Sequence, residues 1–171
     1  MLCVYNRQGR KLMQFAAHPL PDPEQAPFLN QAHIAVNARG EVAMGFIYPY
    51  KLVFFSRAGY PRFSILIHPK FLVAPPTFQK EKGKILRMVR QSIIYDVHWF
   101  GRRLYVLVTP EQAQAASYMD VFSPKGTFLE RFYLPLNALK MTHLGNLLYF
   151  LGYWPKYGIE AYRIVRIRGE A

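Results

Sequence analysis

Three histidines in this sequence, His33, His98 and His143, each fall a few residues before a glycine turn. Imidazole nitrogens are common zinc ligands, so three of them converging from neighbouring strands would make a metal site. Their distances to the following turn glycine are seven, three and two residues, which places them at different heights. The expected outcome is therefore separate structural or exposed histidines, with no metal assigned. His18 and His68 each precede a proline in a connector and are expected to face solvent. The aspartates are Asp22, Asp96 and Asp120. Asp22 lies in a proline-rich loop. Asp96 stands two residues from His98 and is the one candidate general base. Asp120 belongs to a hairpin strand, where it is expected to pair with a neighbouring sheet or turn. Cys3 is the single cysteine, which excludes an intrachain disulfide and a cysteine metal cluster. It reads as a small buried hydrophobe. No glycine-rich phosphate loop, nucleophile elbow or zinc-protease motif occurs. The sequence thus assigns no catalytic residue and no cofactor.

Charge points elsewhere. The chain carries 22 Lys and Arg against 10 Asp and Glu, a net charge of +12. Such a balance permits nucleic acid, an anionic membrane or acidic ligands as partners. The loose concentration is Lys80, Lys82, Lys84, Arg87 and Arg90, with Arg102 and Arg103 further on. Trp99 and Phe100 stand beside the last two, and aromatic side chains can stack on bases. Together with Trp99 these cations form a candidate binding surface. A solvated basic connector, with the aromatics packed between sheets, is the structural alternative. No run of about 20 apolar residues is present, so no membrane-spanning helix is expected.

The elements that must position these groups are strands. Hydrophobic residues make up 51% of the chain and aromatic residues 16%, almost all Phe and Tyr, which suit pleated half-buried surfaces. Ser123-Pro124-Lys125-Gly126 has the residue types of a type I turn in order, between strands Tyr118 to Phe122 and Thr127 to Tyr133. A bulge is expected at the glycine. The same pattern of aromatic, Asn or Ser, two free positions and Gly recurs at Tyr5 to Gly9 and Phe55 to Gly59. Hairpins turning at Gly9, Gly59 and Gly126 alternate with hairpins of a second kind turning at Gly40, Gly101 and Gly145. Lys80 to Gln91 reads as a short basic helix or an irregular connection. The count is two strands, then four, four and three, or 13 in all. A repeated four-stranded meander is the signature of β-propeller blades. A sandwich or barrel would explain the strands but not the alternation of hairpin types.

The hairpin Asp120 to Glu130 is preceded by Leu104-Tyr105-Val106-Leu107 and followed by Leu148-Tyr149-Phe150-Leu151 and Tyr162-Arg163-Ile164. This arrangement resembles the last blades of bacterial six-bladed β-propellers of the NHL-like or TolB-like kind. The chain departs from that pattern in having serine, not an acidic residue, at Ser56 and Ser123. The reading is one all-β, partial β-propeller domain over residues 1–171, about three four-stranded antiparallel blades. Blade parts fall at about 1–16, 32–66, 93–134 and 138–168. Because three blades and a fraction cannot close a ring, the missing half of the propeller, or self-association, is expected to complete it. The resemblance implies a bacterial extracytoplasmic setting. It also implies a non-catalytic scaffold whose loops on one face bind a protein, peptide or saccharide. Nucleic acid bound through the basic face, or a fragment of a propeller hydrolase or lyase, are the alternatives. The variable segments His68 to Gln91 and Pro110 to Ser117 are where that function is expected to lie.

Overall fold

A computed structural model of the chain describes residues 2–5, 7–15, 31–69, 71, 73–89, 93–110, 117–145, 147–153 and 160–165. The described residues form strands and turns, with no helix among them. The first hairpin joins β1 (Leu2–Tyr5) to β2 (Lys11–Phe15). Sheet I is a meander of β3 (Ala32–Val36), β4 (Val42–Phe46), β5 (Lys51–Phe55) and β6 (Pro61–Leu66). A separate hairpin follows, β7 (Thr77–Glu81) with β8 (Lys84–Val89). Sheet II is a second four-stranded meander of β9 (Ile94–Phe100), β10 (Arg103–Val108), β11 (Tyr118–Phe122) and β12 (Phe128–Tyr133). Sheet III has three strands, β13 (Asn137–Leu144), β14 (Leu147–Tyr153) and β15 (Glu160–Val165).

The turn chemistry sets the hairpins. In the β5–β6 turn the Gly59 amide donates to the Ser56 carbonyl at 2.9 Å, and the Tyr60 amide donates to Ser56 Oγ at 3.1 Å. The β11–β12 turn repeats this: Gly126 N–H to Ser123 O at 2.9 Å and Thr127 N–H to Ser123 Oγ at 3.1 Å. Both glycines are left-handed, with φ of +80° and +81°, which side chains with a Cβ rarely adopt. The register slips at Phe54/Phe55 and again at Val121/Phe122, the bulge such a turn produces. In the β3–β4 turn Asn37 Oδ1 accepts from Arg39 N–H at 2.9 Å and Glu41 N–H at 3.0 Å, so the side chain closes its own loop.

Burial follows from layering. Leu104, Val106 and Val108 of β10 pack against sheet I, with Ala43, Leu52 and Phe54 across the seam. The alternate residues Tyr105 and Leu107 pack against sheet III, meeting Ala138, Leu148 and Phe150. Sheet II is therefore covered on both faces, which is why β11 is buried throughout and β10 is an apolar run from Leu104 onward. Each large side chain buried this way contributes roughly 1.5–3 kcal/mol. The outer strand β6 instead alternates exposed and half-buried residues. At each seam the first strands meet: β9 lies against β3 on one side and β13 on the other. The close approach needs Gly45 in β4, where an added Cβ would come within 2.6 Å of Val97 Cγ1. Successive meanders stacked face to face, with their first strands side by side, are the blades of a β-propeller. The chain is an all-β, partial β-propeller.

Two expectations are corrected. The segment from Lys80 is neither helix nor irregular: Lys80 to Val89 lies in the β7–β8 hairpin, which raises the strand count among the described residues to 15, against the 13 expected. Its loop is Lys82-Gly83, with φ of +49° and +81°, the backbone of a type I′ turn. Gly83 makes this loop affordable to the backbone, and the short apolar-polar runs on either side supply the strands.

Candidate functional site

In a meander, the first-to-second and third-to-fourth turns fall at one end, and all other connections fall at the other. The glycine turns at Gly40, Gly59, Gly101 and Gly126 thus share one end. The connections after β4, β6 and β10 share the opposite one.

The predicted basic surface is divided. Lys80, Lys82, Lys84 and Arg87 are all exposed on the β7–β8 hairpin. None of the four pairs with a carboxylate among the described residues. Arg90 lies outside the described residues. The hairpin leaves the fold at the connector end, between β6 and β9. Arg102 is exposed in the β9–β10 turn at the glycine end. The seven residues of β9 span about 20 Å between those ends. Arg103 is held by Glu130 on β12, Nη1 to Oε1 at 2.9 Å. Trp99 is 7% exposed, edge-on to Phe54 of sheet I with centroids 6.4 Å apart, and offers no face to a base. The aromatics are thus packed between sheets rather than free to stack: β9 directs Val97 and Trp99 into the seam with sheet I, leaving Phe100 toward sheet III. Beside Trp99 an open hollow of about 110 Å³ lies between the turns of sheets I and II, with Arg39 and Arg102 at its rim.

Asp120 is fully buried in β11 and bridges two sheets. Arg131 of β12 donates to it twice, Nε to Oδ1 at 2.6 Å and Nη2 to Oδ2 at 2.8 Å. Tyr50, which precedes β5 in sheet I, donates its hydroxyl to Oδ2 at 2.7 Å. The Arg131 guanidinium lies 4.0 Å from the Tyr118 ring centroid. Burial and the Asp120 charge hold the Tyr50 phenol well above its ordinary pKa, so it stays protonated and donating. The Asp120 hydrogen bonds hold Arg131 more firmly protonated still. This is a sealed brace between blades, as expected of Asp120, and it has no open position for a substrate.

The inner strands carry the remaining cluster. His98 of β9 and His143 of β13 meet, Nε2 to Nδ1 at 2.5 Å, with Phe100 against the His143 ring at 5.3 Å between centroids. Asp96 sits one turn of the pleat further from the loop. Its Oδ2 accepts the Met141 amide at 3.0 Å, and Lys140 lies 3.7 Å from its Oδ1. Burial, then the His143 imidazole, lowers the His98 pKa, with Asp96 opposing. His33 of β3 is lowered by burial and by Lys140. The expectation of three separate histidines is corrected for two of them: His98 and His143 touch, while His33 stays apart and the three do not converge. No group of three metal-ligating side chains gathers among the described residues. Asp96 is committed to a backbone amide across the seam, which leaves the general-base role without support. Cys3 is half-buried and His68 exposed; His18 and Asp22 lie outside the described residues. No helix among the described residues is long and apolar enough to cross a membrane.

No protein-family model and no curated protein matches the chain. Among solved structures it is similar to the phage phi92 endosialidase, at 15% identity and a TM-score of 0.42, over 77% of this chain and 20% of that one. It is similar to the Pan2 WD40 domain of Neurospora crassa, at 13% identity and a TM-score of 0.33, over 88% and 54%. It is also similar to BamB of Moraxella catarrhalis, at 12% identity and a TM-score of 0.30, over 70% and 39%. The chain thus spans less than two thirds of each of these structures. At such values the propeller assignment stands on the chain's own seams.

Proposed function

We propose that the chain is a non-catalytic β-propeller binding module and that its partner docks on the β7–β8 hairpin. The observation that carries this is an inserted hairpin bearing four exposed cations, none with a carboxylate partner among the described residues, and one carboxylate, Glu81. Pairing register gives it two faces. Phe78, Ile85 and Met88 are half-buried on one, while Gln79, Lys84, Arg87 and Val89 stand exposed on the other. A mixed cationic and apolar surface suits an acidic protein segment: charge speeds encounter and the apolar contacts hold the complex. The burial of Trp99 removes the stacking platform that a nucleic-acid reading needs. The finer kinship, a six-bladed propeller of the NHL-like or TolB-like kind completed by further blades, is part of the same proposal. The repeated outer turn and the open number of blades support it.

The test compares binding of a polyglutamate peptide carrying apolar residues with single-stranded RNA of equal length, from about 50 to about 200 mM salt. The peptide is expected to bind with a shallow salt dependence, and a Lys82→Glu/Lys84→Glu variant to lose that binding. Tighter RNA binding with a steep salt slope, equally sensitive to the variant, would favour nucleic acid. Binding unchanged in the variant would remove the hairpin from the function.

A further inference from the structure

We infer that His98 and His143 form a two-imidazole site for a borderline divalent transition-metal ion such as Zn2+, in a place separate from the basic hairpin. Two observations carry it. His98 Nε2 and His143 Nδ1 face one another at 2.5 Å from the first strands of adjacent sheets. Both rings are reachable, His98 being half-buried and His143 exposed. In the metal-free pair one nitrogen carries a proton and the other accepts it. An ion entering between them takes the lone pair of each, and the displaced proton moves to the remaining nitrogen of its own ring or to solvent.

The geometry requires little movement. An ion about 2.0–2.1 Å from each nitrogen at a tetrahedral angle sets them about 3.3 Å apart, less than 1 Å wider than the observed pair. The exposed His143 side chain has room to give that, while Phe100 keeps its ring oriented. Imidazole must be neutral to ligate, so protons compete with the ion. Asp96 on β9 is the charge acting on His98, and Lys140 on β13 and His33 on β3 lie near Asp96 in turn. Lys140 lies against Asp96, so the cation that would oppose an ion is offset. Asp96 is occupied by the Val97 and Met141 amides. The protein therefore offers two ligands, and water fills the other positions. Imidazole nitrogen selects Zn2+, Ni2+ or Cu2+ over Mg2+ or Ca2+. An ion bound here ties sheet II to sheet III at the glycine-turn end of their inner strands.

Calorimetric titration of the full chain with Zn2+, then with Mg2+, tests this at neutral pH and again near pH 5, about 1.5 units below the ordinary histidine value. One Zn2+ per chain is expected at neutral pH, with no Mg2+ response and weaker Zn2+ binding in acid. His143→Gln should weaken the Zn2+ affinity by at least about tenfold, since even outer-shell changes cost 10–100-fold at metal sites. His68→Gln, at an exposed connector position, should leave it unchanged. His98→Gln serves as a second removal if the first variant fails to fold. Absence of Zn2+ binding, an equal response to Mg2+, or an affinity unchanged in the folded His143 or His98 variants would overturn the proposal.

Discussion

Replacing Asp120 with alanine should be among the most damaging single changes in the chain. The carboxylate is fully buried and satisfies two partners at once: Arg131, whose side chain is 12% exposed, and the buried hydroxyl of Tyr50 from the next sheet. Removing one partner of a buried ion pair leaves an uncompensated charge and costs about 3–5 kcal/mol. The Tyr50 hydroxyl, losing its acceptor, adds about 1–3 kcal/mol. The two costs share one network and do not add fully, which puts the expected loss at no less than about 3 kcal/mol. For a chain of this size each kcal/mol lowers Tm by about 2–4 °C, so a fall of at least about 6–12 °C follows. Thermal and urea unfolding followed by circular dichroism measure it. Tyr50→Phe leaves the Asp120–Arg131 pair intact and loses one hydrogen bond to a charge, about 1.5–3 kcal/mol. The order of the two variants is the discriminating result. An Asp120→Ala protein within about 1 kcal/mol of the parent, or one more stable than Tyr50→Phe, would refute the brace.

Gly126→Ala should destabilise the seam between sheets I and II by about 2–4 kcal/mol, from a strained backbone and an overpacked contact. A Cβ there would meet Phe63 Cε2 at 2.5 Å with φ at +81°, and denaturant titration measures the loss. Stability should fall as pH drops below about 6.5, the ordinary histidine value, toward the lower folded value of His98. The unfolded chain binds the proton first in that window, so stability rises with pH there. His98→Gln should flatten that part of the pH profile of Tm, and an unchanged profile would count against it. The Lys82→Glu/Lys84→Glu variant, at exposed positions, should unfold within about 0.5 kcal/mol of the parent while losing its partner.

The turns were the most legible part of this sequence because their chemistry is local. Ser123 to Gly126 carries its own hydrogen-bonding side chain and its own left-handed position, so four residues decide the hairpin and its bulge. The apolar run Leu104 to Val108 announced burial on both faces for a similar reason, though only the structure shows which alternate residue meets which sheet. Histidine spacing from the turn glycines misled: it set all three at different heights, yet His98 and His143, three and two residues from their glycines, meet, and it is His33 at seven that stays apart.

What the sequence concealed were matters of direction. Lys82-Gly83 is a turn signal that the surrounding charges obscured, and clustered lysines read as readily as a helix face. Proximity in sequence suggested that Lys80 to Arg87 and Arg102 share one surface. The antiparallel order of sheet II instead puts a whole strand between them, since β9 starts where the hairpin returns and ends where Arg102 turns. Trp99 could not be assigned to core or surface from its neighbours, because that depends on which way the pleat faces at Ile94 to Val97, where a bulge shifts the alternation. The division has a functional consequence. A partner large enough to engage both Arg102 and the hairpin would have to reach along the fold from one end to the other, whereas the hairpin alone presents its cations at a single end. Docking at that end leaves the hollow beside Arg39 and Arg102, and the histidine pair at the glycine turns, unobstructed.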